Sequence, residues 1–596
     1  MERASAAATI HLGHGDHLAS LVDRRTGPDA DAVLFRRHVA GSWRDVTAQA
    51  WRREVEGVAR GFVAAGVQPG DRVAVMSRTR YEWTVVDFAL WTAGAVCVPV
   101  YETSSAEQVE WILADSQAVG VVVEHGEHAA VVASVRGGAP SLRDIWVIDH
   151  EDLASLTEAG AAAPPDELDN RRASLSPDSL ATLIYTSGTT GRPKGVELTH
   201  GNLLFDARAA IDALDALFEV PDASTLLFLP LAHVFARAIQ VACVDFGITV
   251  AHSPDVTRLA HDLQDVRPTF VLAVPRVFEK IYNGAANKAA VEGRSRIFAA
   301  AADTAIAFSR ARDSGRISPV LRGRHAVLDR LVYRKLRQAM GGNVEWAVSG
   351  GAALGARLGH FFRGAGITVL EGYGLTETSA ASTVNTPTGQ RIGTVGRPLP
   401  GTEIGIAADG EVLLRGPHLM RGYWNQPAAT AEAIDADGWL HTGDLGALDA
   451  DGYLTITGRK KELLVTAGGK NVAPAALEDR LRAHPMVSQA LVVGDGRPFV
   501  AALITLDDAA VAQWCEDTGR PAVATRELLV DPDLLALVQE AVDDANRSVS
   551  QAEAVRRFRL LADDFTEEGG ELTPTMKVRR HVVESRYAAD VESLYA

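Results

Sequence analysis

Cysteine is nearly absent from this chain: 596 residues carry three, Cys97, Cys243 and Cys515. They lie far apart and form no CxxC pair, which excludes a disulfide scaffold, a zinc ribbon or a dithiol redox motif and fits a reducing compartment. Long hydrophobic runs are missing too. The most apolar uncharged stretch, Phe88 to Tyr101, is interrupted by Gly94 and Pro99 and falls short of the ~20 residues that span a bilayer. The first twenty residues hold no apolar core of signal-peptide length, so the protein reads as cytoplasmic. His11, His14 and His17 have no partner cluster and read as part of a frayed polar terminus rather than a metal site. Positive charge is in deficit, 59 basic against 76 acidic residues for a net −17. That balance argues against nucleic acid as a partner, because phosphate affinity needs a basic footprint. Lysine is scarcer still, with eight residues at 194, 280, 288, 335, 460, 461, 470 and 577 against 51 arginines. Where arginine serves for general solvation, a retained lysine marks a place that needs a compact ammonium.

What is present is length and layered periodicity. The chain is long enough for several folding units with a sizeable core. From about residue 45 to 280, short β-branched runs alternate with helical patterns. Strands are expected at Arg72 to Ser77, Val119 to Glu124, Ile145 to Ile148, Leu183 to Tyr185, Leu226 to Leu229 and Thr269 to Ala273, and helices over Trp83 to Ala95 and from Asn202 onward. This rhythm predicts an α/β fold with a mostly parallel sheet. After Gly393, shorter strands such as Gly410 to Arg415 and Tyr453 to Thr457 suggest a small β-rich subdomain. Mixed strands and helices then return. The expected division is a large N-terminal domain, 1–457, and a small α+β domain, 458–596. Ala159 to Pro165 is the one short stretch of linker-like composition.

The most informative segment is Tyr185-Thr-Ser-Gly-Thr-Thr-Gly-Arg-Pro-Lys-Gly195, which follows a strand. Gly188, Gly191 and Gly195 permit backbone amides to converge on one anion, Thr186, Ser187, Thr189 and Thr190 add hydroxyl donors, and Lys194 adds charge. The spacing is not that of a Walker loop, which ends in Gly-Lys-Ser/Thr. Further segments stand out downstream: Leu229-Pro-Leu-Ala-His-Val-Phe235, Val348-Ser-Gly-Gly-Ala-Ala-Leu354, Glu371-Gly-Tyr-Gly-Leu-Thr-Glu-Thr378, Gly438-Trp-Leu-His-Thr-Gly-Asp444, Gly458-Arg-Lys-Lys-Glu462 and Leu572-Thr-Pro-Thr-Met-Lys577. In this order, over roughly residues 40 to 585, they resemble the signatures of the adenylate-forming superfamily, which includes acyl-CoA synthetases, firefly luciferase and peptide-synthetase adenylation domains.

The resemblance implies a luciferase-like fold that uses ATP and Mg2+ to activate a carboxylate. Attack on the α-phosphorus requires donors and a cation where charge builds. Thr376 is the expected α-phosphate donor and Glu377 the magnesium ligand. Asp444, an acceptor-only group, suits the two ribose hydroxyls, with Arg459 approaching the same sugar. Tyr373 would face adenine, and backbone around Gly351 and Ala352 would read the base edge. Lys577 is the expected catalytic lysine of a mobile loop, and Lys461 the hinge. Rotation there would withdraw Lys577 and bring Gly468 and Gly469 forward to line a thiol tunnel. His233 reads as a gate between acyl and thiol channels or, alternatively, as a base.

The substrate class rests on a helical insertion between about 274 and 344. Ile297, Phe298, Ala301, Ala305 and Phe308 recur at helical spacing, as do Val327, Leu328, Leu331 and Leu336. Its Lys288 to Arg337 stretch holds 12 basic and 4 acidic residues. Such an insertion, with its Pro-Arg-Val-Phe-Glu-Lys280 lead-in, resembles long-chain fatty acyl-CoA synthetases, which implies a fatty acid and coenzyme A as partners. Two alternatives stay open: a fatty acyl-AMP ligase serving a carrier-protein phosphopantetheine, and a nucleotide-binding homologue without turnover. Arg330, Arg334 and Arg337 are expected to share one helical face opposite Leu328 and Val332, which would give weak peripheral contact with an anionic inner membrane face.

Overall fold

In the computed structural model, all residues are described except 25–28, 165, 187–191, 522 and 574–575. Three sheets build the larger part. A seven-stranded sheet holds Val96–Val100, Arg72–Met76, Gly120–Val123 and Asp144–Val147 in parallel, and at its other end the antiparallel hairpin Leu180–Thr186 and Lys194–Thr199. A nine-stranded sheet places Thr368–Tyr373, Trp346–Ser349, Phe270–Ala273, Ser224–Leu227 and Thr249–His252 side by side, all parallel. The expected strands are there, with helices Tyr81–Thr92 and His200–Ala213 between them. Strands with both faces covered are near-continuously apolar, as Val96–Val100 is.

The β-rich segment is an antiparallel five-stranded sheet ordered Glu2–Ser5, Glu403–Ile406, Glu411–Arg415, Leu440–Leu448 and Leu454–Arg459. Its first strand corrects the frayed-terminus reading. Glu2 to Ser5 pair antiparallel with Ile406 to Glu403, and His17 is buried beside His200, while His11 and His14 stay exposed. Polar composition hid this because an edge strand gains its stability from backbone pairing. The linker-like run is partly helix as well. Helix Asp152–Gly160 crosses helix Ala48–Ala64 so closely that a Cβ on Gly160 would lie 2.4 Å from the Gly61 amide nitrogen.

The C-terminal part has its own core: the sheet Val487–Val493, Val500–Leu506 and Val555–Leu560 packs against helices Pro474–Arg482 and Pro532–Asn546. It touches the larger part through Arg357, which donates to the Ala483 carbonyl at 2.8 Å, and Arg276, which donates to Ser488 Oγ at 2.9 Å.

The basic insertion is helical but turns differently from a uniform 3.6-residue pattern. A π-turn at Asp329–Tyr333 interrupts it between helices Pro319–Leu328 and Arg334–Ala339. The extra residue re-phases the helix beyond it. Arg337 therefore points inward, pairing with Asp329 at 2.8 Å and donating to the Ala365 carbonyl at 2.6 Å. Leu328 is buried, while in this part of the insertion Val320 at 81%, Val327 at 59% and Leu331 at 52% are exposed. The expected Arg330, Arg334 and Arg337 stripe does not exist.

One buried ion pair ties helix Val234–Phe246, one wall of the site, to helix Tyr81–Thr92 behind it. Arg237 on helix Val234–Phe246 meets Asp87 on helix Tyr81–Thr92 with both side chains fully buried, at 2.6 Å and 3.1 Å, and also donates to Thr182 Oγ1 at 2.6 Å. Removing one member strands the other charge, which costs about 3–5 kcal/mol. Asp87→Ala is expected to lower the unfolding free energy of the first transition in urea by that amount. A loss of less than about 1 kcal/mol contradicts this account.

Candidate active site

The site begins where sheet register sets side chains opposite each other. Strands Leu440–Leu448 and Leu454–Arg459 pair Asp444 with Arg459. Arg459 Nε lies 2.8 Å from Asp444 Oδ1, and the Tyr373 hydroxyl donates to Asp444 Oδ2 at 2.7 Å. Tyr373 closes strand Thr368–Tyr373. Burial and the Asp444 carboxylate hold its phenol well above the usual range, so it stays a donor. Three motifs from separate parts of the chain thus meet on one buried carboxylate.

On the phosphate side, Thr186 and Lys194 face each other across the hairpin. The loop between them, Ser187, Gly188, Thr189, Thr190 and Gly191, lies outside the described residues. Lys194 Nζ sits 4.8 Å from the ring centre of Tyr423, and the Tyr423 hydroxyl donates to Glu377 Oε1 at 2.9 Å. Thr376 and Glu377 open a short 3-10 turn that also lines the cavity. The chain doubles back so tightly there that a Cβ on Gly374 would lie 1.8 Å from the Ala380 carbonyl oxygen, so only glycine fits. Sequence reading missed Tyr423. It stands in Arg421-Gly-Tyr-Trp424, where an aromatic pair is indistinguishable from core.

Lys577 reaches the same cavity from the C-terminal part. Its loop is pinned at the base, Thr573 donating its amide to the Lys577 carbonyl and the Lys577 amide donating to Thr573 Oγ1. Burial among protein atoms and the neighbouring Arg459 guanidinium push its ammonium below the usual lysine range, with Asp444, Glu462 and Glu377 opposing. Lys461 lies in the turn Lys460–Glu462 and also lines the cavity. Its neighbour Lys460 is anchored to Asp409 at 2.6 Å and Glu411 at 3.0 Å, an attachment that sequence reading did not find. Gly351 lines the cavity, with φ +84°, whereas Ala352 does not. Gly468 and Gly469 are exposed in the turn between strands Leu464–Val465 and Asn471–Val472, away from the cavity.

The cavity, about 2120 Å³, runs on from the Thr376 turn between helices His200–Ala213 and Val234–Phe246. Ala207, Ala210 and Leu214 line it from one side, Ala238, Ile239 and Ala242 from the other. Spacings of three and four keep these residues on facing stripes, and the alanines leave the space between the helices open. Phe235 stands at the junction with the nucleotide side, about 3.5 Å from where a Cβ on Gly350 would lie. His233 is beside it. Its Nδ1 accepts from the Phe235 amide at 3.2 Å, and burial, then the charge of Lys577, push the imidazole down to about 3. Such a ring is neutral and a weak base, which favours gating over base chemistry.

A hub that can hold a ribose, cations and hydroxyls around a phosphate site, a lysine delivered by a second domain and an apolar channel together define an enzyme that adenylates a carboxylate. The chain belongs to the AMP-binding enzyme family, whose model matches residues 22–424, with the family's C-terminal domain matching 461–596. It is 51% identical over the full length of both chains to the long-chain-fatty-acid–CoA ligase FadD15 of Mycobacterium tuberculosis. In fold it is similar to the adenylation and carrier didomain of a carboxylic acid reductase from Segniliparus rugosus in complex with AMP. That likeness has TM-score 0.74 at 22% identity and covers 98% of this chain and 82% of that one. It is also similar to ATP-bound MatB from Rhodopseudomonas palustris, with TM-score 0.71 at 24% identity, covering 96% and 99%.

Glu371, at the buried edge of this site, gives a pH signature. Burial pushes its carboxyl up to about 7, against one amide donor, Leu354, and with Asp479 of the C-terminal part adding repulsion. A raised carboxyl pKa means that the folded state keeps a proton which the unfolded chain has lost. Stability therefore falls as pH rises from about 4.5 through 7, and the full penalty stands above that window. Glu371→Gln is expected to be more stable than wild type at pH 8 by on the order of 2 kcal/mol, with the gain nearly gone at pH 5. Urea melts at both values test it. An equal difference at both would refute the burial account.

Proposed function

We propose that this protein activates a long-chain fatty acid with ATP and transfers the acyl group to coenzyme A, releasing AMP and pyrophosphate. The observation that carries the reading is one continuous cavity in which Lys577, Thr376 and the Asp444-bound pair Tyr373 and Arg459 adjoin an apolar channel between two helices. In the first half-reaction a carboxylate oxygen attacks the α-phosphorus, and the bond to the β-phosphate oxygen breaks. Lys577 neutralises charge on the carboxylate and α-phosphate, Thr376 donates to the phosphoryl oxygen, and Lys194 with Thr186 to Gly191 holds the leaving pyrophosphate. Tyr373, Asp444, Arg459 and the backbone at Gly351 hold the nucleoside. A magnesium ion, when bound, would neutralise phosphate charge, and Glu377 fits it as a hard carboxylate oxygen ligand beside Lys194 and Thr376.

In the second half-reaction the thiol sulfur attacks the acyl carbon, and the bond to AMP breaks. We assign Lys461 as the pivot within the segment that opens residues 458–596 and joins them to 1–457. The anchored Lys460 keeps one side of it fixed while rotation removes Lys577 and carries Gly468 and Gly469 to the thiol path. A carrier-protein thiol is the alternative acceptor, distinguished by assaying free coenzyme A. A nucleotide binder without turnover fits poorly with Lys577, Glu377 and Asp444 all present.

Lys577→Ala is expected to abolish acyl-adenylate formation while leaving thioester formation from preformed acyl-AMP largely intact. Loss of such charge stabilisation costs on the order of 3 kcal/mol, a hundredfold or more in rate. Single-turnover assays of each half-reaction decide it, and equal damage to both sinks the assignment. Absence of any fatty-acid-dependent exchange between ATP and pyrophosphate sinks the whole reading.

Among the described residues, no helix is long and apolar enough to cross a membrane. We assign reversible contact with anionic lipid to the exposed face formed by Val320, Val327 and Leu331, flanked by the exposed Arg324, Arg330 and Arg334. Each basic residue at such a surface contributes about 1 kcal/mol. Cosedimentation with anionic liposomes at low salt is expected, fading at high salt and with neutral lipid. Changing Val327 and Leu331 together to Ser should weaken it severalfold, and unaltered binding refutes the face.

A further inference from the structure

The acyl channel contains one residue that an alkyl chain does not explain. Asp206 lies on helix His200–Ala213 among Ala207, Ala210 and Leu214, lines the cavity and is only 2% exposed. A carboxylate in a purely apolar channel is costly unless paired. Asp206 has one described hydrogen bond, accepting from the Ala381 amide at 3.1 Å through Oδ1. Burial holds its carboxyl well above the usual range, with that amide as the opposing influence. In its protonated form, which burial favours, the side chain can both donate and accept. Its helix register also fixes its place. Ala210 and Leu214 follow at one and two turns, about 6 and 12 Å further along the axis, and Ala381 lies five residues beyond Thr376. Asp206 thus sits between the reacting end of the cavity and its apolar end.

We infer that Asp206 forms a polar subsite within the acyl channel, which recognises fatty acids bearing a hydroxyl or oxo group at one position along the chain. This rests on the reading of the channel as the fatty-acid site. A hydroxyl opposite Asp206 gains a hydrogen bond that a methylene cannot make. A hydroxyl elsewhere is buried against alanine and leucine and loses its hydration.

The test is thioester formation by the full-length wild-type protein with stearate and a positional series of monohydroxystearates, comparing kcat/KM. The expected profile has a single maximum at one position, at or above stearate, with losses of about tenfold or more elsewhere, of the order that one unmade buried hydrogen bond costs. Asp206→Leu should flatten that maximum relative to stearate, while Asp206→Asn, which still donates and accepts, should retain it. A wild-type profile that falls uniformly at every position, or a maximum that survives Asp206→Leu, overturns the inference. The positional series on the wild type decides the matter if the leucine variant fails to fold. No turnover of stearate at all would instead overturn the fatty-acid reading, so the two failures are distinguishable.

Discussion

The carboxylate of Asp444 is the point through which the site is organised. It is buried, and a buried charge persists only with partners for its oxygens. Those partners are the Tyr373 hydroxyl, which ends the strand leading into the Thr376 turn, and Arg459, the last residue before the Lys460–Glu462 turn. Satisfying one charge therefore fixes the ends of two strands. One leads to the phosphate side. The other leads directly into the C-terminal domain, so the place where the ribose would sit adjoins the turn proposed above as the pivot.

Electrostatics then makes the arrival of Lys577 conditional. Arg459 stands close enough to depress the lysine, while Asp444, Glu462 and Glu377 favour its charge. The ammonium is held among competing groups, and a polyphosphate entering the cavity would add the negative charge that it lacks. Glu371 and Asp479 work in the opposite direction across the same boundary. Both are acids raised by burial, to about 7 and about 6, and Asp479 adds to the cost of ionising Glu371. The domain contact is therefore one that protons help to hold. Proton loss there and negative charge arriving beside Lys577 bear on the same boundary between the two parts of the chain.

Much of this was legible in the sequence because the chemistry uses contiguous words. Lys194, Thr376, Asp444 and Lys577 stand in motifs whose residue types explain themselves; the cavity collects Lys194, Thr376 and Lys577, and Asp444 stands behind its lining residues Tyr373 and Arg459. The strand pattern was legible because covered parallel strands are runs of valine and alanine. What escaped depends on register and phase. Tyr423 and Lys460 matter through what they touch, Glu377 and the Asp409 and Glu411 pair, at positions 46 or more residues away. The N-terminal strand is polar in composition and is a strand only because Ile406 to Glu403 offer it an edge. The arginine stripe failed because one π-turn adds a residue to the repeat, which no period count detects.

The two kinds of error have one origin, and it bears on specificity. A channel between helices His200–Ala213 and Val234–Phe246 is set by which faces meet, and Arg237 fixes that by locking the second helix to Asp87 from behind. With the back of the helix committed to the ion pair, its front must present Ala238, Ile239 and Ala242, and the opposing stripe must include Asp206 one turn from Ala210. A fully buried charge pair on one side of a helix thereby determines where a buried acid stands on the far wall of the channel. The polar residue in the channel is thus held by the same packing that makes the rest of the channel apolar, and a small shift in helix phase would remove it from the cavity wall.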